Sequence, residues 1–128
     1  MALDYSIKVE NKVLFVKVSG IDENLEEVKE YGLAVIEAFV QNQCEKVLCD
    51  ESELTYTLST FDTFESAKFI AELATPNTIP IAIVCGKHQL EIGKFWETVA
   101  VNRSLNVKMF YQLEDAKNWL ELGLAVKK

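Results

Sequence analysis

The run IPIAIVCG, residues 79–86, decides the fold. Apart from Pro80 it is an unbroken series of apolar side chains closed by Gly86. A strand with one wet face alternates polar and apolar residues, whereas a short continuous apolar run bounded by turn residues reads as a strand buried on both faces, as in the middle of a parallel sheet. Pro76 and Pro80 bracket the turn before it, and KVLCD, residues 46–50, is a second run of the same kind ending at an acidic residue. Two such strands require crossover connections, so helices are expected on either side of them.

Those helices are legible. Between the two runs, Phe61, Phe64, Ala67, Ile70, Ala71 and Leu73 form a broad apolar face over about Phe61 to Ala74, with Ser59 or Thr60 available as the N-cap. After the second run, Ile92, Phe95, Trp96 and Val99 space a helix from about Gln89 to Val101, in which Gly93 costs roughly 1 kcal/mol relative to Ala. Upstream, Leu25, Val28, Gly32, Val35, Ile36 and Phe39 form one stripe of a helix capped by Asp22 and running through about Gln41. Glu23, Glu26 and Glu27 cluster at its start, where the helix dipole favours negative charge, and read as a solvated face. The stretch ESELTYTLST, residues 51–60, reads as a loop.

At the N-terminus, YSIKVE and KVLFVKVSG form a hairpin about Asn11. At the other end, NVKMF is a strand and LEDAKNWLELGL a closing helix, with Leu113, Ala116, Trp119 and Leu120 on its apolar side and Glu114 and Asp115 in its first turn. Asn102 and Arg103 follow the third helix, Asn suited to a left-handed cap and Arg able to bond the last carbonyls. The order β-β-α-β-α-β-α-β-α predicts an α/β fold: a mixed, largely parallel sheet with an N-terminal β-hairpin and about four helices. A single domain over residues 1–128 is expected, since 49% apolar content is ample for one core and no repeat or linker interrupts it.

Composition narrows the partners. The formal charge of −7, from 13 basic and 20 acidic residues with no basic cluster, disfavours nucleic acid and anionic membranes. The opening MALDYSIKVE has no apolar leader, and no run approaches the roughly 18 to 20 residues of a membrane span, so a soluble, cytoplasmic protein is expected. Cys44, Cys49 and Cys85 are an odd number, which suits reduced thiols, and Cys49 and Cys85 end apolar runs where a cysteine packs as a small hydrophobe.

Ligands of open α/β sheets bind beyond the carboxyl ends of the strands. That edge presents Asp50, Glu51 and Ser52 after one strand and Gly86, Lys87 and His88 after the next. Asp50, Ser52 and His88 have the residue types of a hydrolase triad, but no GxSxG elbow accompanies them. Asp50, Ser52, Lys87 and His88 are therefore read as a ligand or partner edge, with no catalytic residue assigned. GKHQLEIGK lacks the spacing of a phosphate loop, SGIDENLEE has one Gly where a dinucleotide fingerprint needs three, and the acids from Asp22 to Glu27 lack a calcium loop's spacing. Neither a cofactor nor a metal is expected. In TLSTFDTFES, the hydroxyls of Thr57, Ser59, Thr60 and Thr63 crowd a helix start; Ser59 and Thr60 are candidates for phosphorylation or partner contact, because added charge beside Asp62 and Glu65 would repel a docked surface.

The hairpin YSIKVENKVLFVKVSG, the strand ending VLCD and above all VNRSLNVKMFYQLEDAKNWL together resemble the STAS-like family related to the sporulation anti-anti-sigma factor, the SpoIIAA-like family, whose fold is also similar to Sec14 or CRAL-TRIO domains. Ser104 stands where that family has Gly after Asn-Arg, and Leu58-Ser59-Thr60-Phe61 stands where phosphorylated members carry an Asp-Ser-Ser-Gly-like stretch. The resemblance implies a non-enzymatic regulatory or protein-interaction module, acting on a partner protein or as a homodimer. Its alternative is a carrier of a small apolar or lipid-like ligand, for which Phe61, Phe64, Phe69, Phe95 and Trp96 supply aromatic surface and a pocket of roughly several hundred Å3 is expected.

Overall fold

A computed structural model describes residues 3–74 and 79–122. Strands β1 (Leu3–Glu10) and β2 (Val13–Asp22) form the antiparallel hairpin, closed by Asn11 and Lys12 at φ 52° and 65°. Two consecutive left-handed residues match the right-handed twist of the strands they join. Helix α1 (Leu25–Gln41) follows, and its cap is Asn24, whose side-chain oxygen accepts from the Glu27 N–H at 2.9 Å. The cap expected at Asp22 is thus displaced by two residues, because Asp22 is still in β2, drawn there by pairing with the next strand.

That strand, β3 (Lys46–Tyr56), is more than twice the length of KVLCD, and the expected loop begins only at Thr57. It runs parallel to β2 with an irregularity: Lys17 pairs with Asp50 but Ser19 with Glu53, so β3 carries one extra residue. This bulge changes the phase of the strand. Val47, Cys49 and Glu51 point to one face before it, and Leu54 and Tyr56 point to the same face after it. Strict alternation would have turned Glu53 and Thr55 inward. The broken alternation is what makes residues 51–56 read as a loop in sequence.

Helix α2 (Thr60–Ala74), strand β4 (Ile81–Cys85), a 3-10 turn (Lys87–Gln89) and helix α3 (Leu90–Val101) come next, then strand β5 (Val107–Phe110) and helix α4 (Leu113–Trp119). The sheet order is β1-β2-β3-β4-β5, and only the β1-β2 pairing is antiparallel. All five residues of β4 are buried, as its sequence predicts. Ile81, Ile83 and Cys85 join the larger core under α1, α2 and α3, while Ala82 and Val84 meet Ala116 and Leu120 of α4 on the other face. Cys44, Cys49 and Cys85 are buried free thiols. The Pro76 turn and the last residues of the expected closing helix lie outside the described residues.

The closing segment corrects two expectations. Asn102 stays in right-handed geometry, and the left-handed residue is Ser104, at φ 75°. Leu113 is exposed, whereas Ala116 and Leu120 are buried and Trp119 packs against Phe110 with ring centroids 6.0 Å apart. Arg103 does hold the helix end, its Nη1 donating to the Val99 carbonyl at 3.5 Å while its guanidinium lies 5.0 Å from the Phe64 ring centroid. A left-handed conformation costs a non-glycine residue on the order of 1 kcal/mol, partly returned through the unfolded chain. Ser104→Gly is expected to raise stability by about 0.5 kcal/mol, seen as a higher urea midpoint at unchanged m-value.

Candidate functional site

The carboxyl ends of β3 and β4 bring some of the candidate residues together and keep others apart. Asp50 lies on the α4 face and accepts from the Ser52 hydroxyl at 2.7 Å, the Ser52 N–H at 3.1 Å and the Lys17 ammonium at 3.3 Å. Partial burial works to raise its pKa, but those partners outweigh it and hold the carboxyl below the usual range. His88 is exposed on the 3-10 turn, and among the described residues no hydrogen bond joins it to Ser52 or Asp50. A serine nucleophile needs the histidine between hydroxyl and carboxylate; here the serine donates directly to the acid. Lys87 sits over the Tyr111 ring, 5.5 Å from its centroid. The four residues therefore form no single constellation.

The other face of β3 holds the chemistry that sequence reasoning missed. Glu51, only 8% exposed, accepts from the Tyr31 hydroxyl of α1 at 3.0 Å and the Tyr56 hydroxyl of β3 at 2.6 Å. Burial pushes its pKa from an ordinary 4.5 up to about 7; the two phenols oppose the shift, and the negative charges of Asp22 and Asp50 add to it. Asp22 at the end of β2 is likewise raised by burial, to about 6, against the pull of the Thr57 and Leu58 N–H groups. Burial also drives the Tyr31 and Tyr56 hydroxyls and the Cys49 thiol well upward, so none of them is an activated nucleophile at neutral pH.

This cluster forms the polar end of a cavity of about 100 Å3 between the sheet and the three helices. Its apolar walls include Val35, Ile70, Ile83, Trp96 and Met109. Gly93 brings α3 against β5, where a Cβ would come 2.5 Å from the end of Met109. Gln89, 5% exposed, ties the 3-10 turn to the end of β3 by donating to the Leu54 carbonyl at 2.7 Å and accepting from the Tyr56 N–H at 2.8 Å. One signal was available for Tyr31: it falls between Val28 and Val35 on the stripe of α1, and a phenol on a buried stripe requires a polar partner. Nothing in the spacing marks Gln89.

At the start of α2, Ser59 and not Thr60 supplies the cap. Its hydroxyl accepts from the Asp62 N–H at 3.1 Å, and its carbonyl accepts from Thr63 at 2.8 Å. Thr60 is exposed beside it, and Phe61 is 68% exposed, the highest value for any large apolar side chain among the described residues. The approach to the helix is pinned by Asp22, which accepts from the Thr57 N–H at 2.6 Å. Among the described residues no group of three or more His, Cys, Asp or Glu side chains is placed to hold a metal, and no helix is long and apolar enough to cross a membrane.

No protein-family model matches the sequence, and no curated protein matches it. Among solved structures, an anti-sigma factor antagonist from Mycobacterium paratuberculosis is similar at a TM-score of 0.62 and 15% identity, over 93% of this chain and 94% of that one. Similarity at that identity is a likeness of fold. The chain has the STAS-like, SpoIIAA-like fold that its closing segment resembles.

The buried carboxyl predicts a pH dependence of stability. A carboxyl whose pKa is raised by folding binds its proton more tightly in the native state, so its favourable state is fully present below 4.5 and is lost as pH rises through about 7. The loss is on the order of 3 kcal/mol. Asp22 acts in the same direction at lower pH, up to about 6. Urea midpoints should fall between about pH 5 and 7 for the natural protein and fall clearly less for Glu51→Gln, whose neutral amide can still bond both phenols and which keeps only the Asp22 part; parallel profiles would show that Glu51 is not the titrating group.

Proposed function

We propose that this protein is a non-enzymatic regulatory module that binds another protein through the start of α2, around Ser59, Thr60 and Phe61. The observation that carries this reading is the exposure of Phe61. A phenyl ring left 68% exposed in the first turn of a helix adds little to the stability of its own chain, whereas a desolvated aromatic is the usual anchor of a protein interface. The Ser59 and Thr60 hydroxyls flank it, and a phosphate there would meet the charges of Asp62 and Glu65. Support of a second kind comes from the structural neighbour, whose name as an anti-sigma factor antagonist makes another protein its target.

The alternatives have weaker support. Asp50, Ser52 and His88 are not assembled for hydrolysis, and burial suppresses the Cys49 thiolate. A cavity of about 100 Å3 falls short of the several hundred expected for a lipid-like cargo. The proposed partner is a different protein or a second copy of the chain.

A photo-crosslinking residue at position 61, with one at Asn118 on α4 as the control, tests the surface in the native host. One protein should be captured reproducibly from position 61 and not from 118, and Phe61→Glu should abolish its binding in a purified assay while stability changes by less than about 0.5 kcal/mol. Equal capture from both positions would remove the proposal. Ser59→Ala should cost about 1 kcal/mol by loss of the cap, whereas Ser59→Asp keeps a capping oxygen. Partner binding lost in Ser59→Asp at unchanged stability would identify Ser59 as the switch; binding retained there would exclude it.

A further inference from the structure

We infer that the cavity beneath α1, α2 and α3 is a binding site for a compact apolar molecule bearing a hydrogen-bond donor, an alcohol or amine on a short branched carbon chain, and that it rejects the matching carboxylate. The site is separate from the α2 surface, and its argument does not depend on a protein partner.

Size sets the first limit. An apolar cavity of about 150 Å3 accepts benzene, so a space of about 100 Å3 suits a chain of about four carbons with one polar atom. The walls of Val35, Ile70, Ile83 and Met109 match such a chain. Position supports the same reading. Asp22, Leu58 and Ile92 line the cavity from the carboxyl-end side of the sheet, where ligands of open α/β folds enter, and Ile92 is exposed on α3.

Hydrogen-bond bookkeeping sets the second limit. The phenols and the indole that face the cavity are already used, both phenols donating to Glu51 and the Trp96 indole to Ser66 at 3.1 Å, and the Thr63 and Ser66 hydroxyls that also line it carry no charge. Acceptor capacity remains in the ionised form, populated above pH 7, because each Glu51 oxygen then receives one phenol and has a second lone pair. Among the described residues neither Lys, Arg nor His lines the cavity, although two acids do. An incoming carboxylate would find no cation and two carboxyl groups; an incoming hydroxyl or ammonium would find an acceptor.

The test is a titration of the methyl-labelled natural protein with isobutanol, isobutylamine and isobutyrate, three probes of one carbon skeleton, followed by NMR. Saturable shifts confined to the methyls of Ile70, Ile83 and Met109 are expected with the alcohol and the amine, with the carboxylate roughly tenfold weaker or silent. Val28→Phe, which fills the cavity from α1, should remove those shifts while leaving the folded spectrum intact. Absence of saturable shifts with both donors, or a carboxylate that binds equally well, overturns the inference, and these outcomes are read on the natural protein whether or not Val28→Phe folds.

Discussion

The parallel pairing of β2 with β3, carried past a one-residue bulge, is the constraint on which the rest of the structure depends. Before the bulge the ladder places Val16 and Cys49 in the main core; after it, the ladder continues to Asp22 and Tyr56. Because β3 changes phase between Glu51 and Leu54, two residues that alternation would send outward are turned in. Tyr56 then reaches Glu51, Gln89 reaches the strand end, and Asp22 reaches the segment that leads into α2. A single inserted residue thus positions the cavity's polar end and the approach to the proposed partner surface.

Burying Glu51 has a cost that neither tyrosine fully offsets. A carboxylate removed from water loses more than two neutral hydrogen bonds return, and no cation among the described residues lines its cavity to compensate it; its raised pKa expresses that deficit. An apolar residue at this position would serve packing alone at least as well. The contrast with Asp50 is instructive, since the next residue back along the strand is half-buried, paired with Lys17 and bonded to Ser52, and it stays ionised. Two neighbouring acids on opposite faces of one strand therefore have opposite electrostatic character.

The two faces of the sheet also divide the molecule by role. On one, α4 lies over β3, β4 and β5 with Ala116 and Leu120 seated on Leu48, Ala82 and Val84. Among the described residues that small core has no buried polar cluster, and beside it lie the Lys17–Asp50 and Lys17–Glu53 ion pairs, which add little stability in water. On the other, three helices enclose both the main core and the cavity, and the exposed start of α2 projects from the same layer. The proposed interaction surface and the cavity share α2, which contributes Phe61 to the outside and Thr63, Ser66 and Ile70 to the inside.

The order of elements, the parallel character of β4 and a cap at Ser59 or Thr60 were legible in the sequence, because each depends on local periodicity or on a side chain bonding its own backbone. The closing segment showed the fold as well, although the left-handed residue is Ser104 and not Asn102, where the sequence suggested it. Asp22, Glu51, Tyr56 and Gln89 were not legible as a group. Their sequence neighbours are polar and their alternation is broken, so residues 51–56 read as a loop and Asp22 as a cap. Only the ladder between β2 and β3, a contact between residues more than thirty apart in the chain, gives them one face and one partner network. Local sequence determined which segments became strands and helices; the register of one strand against another, which no local pattern encodes, decided which carboxyl was buried and where the cavity formed.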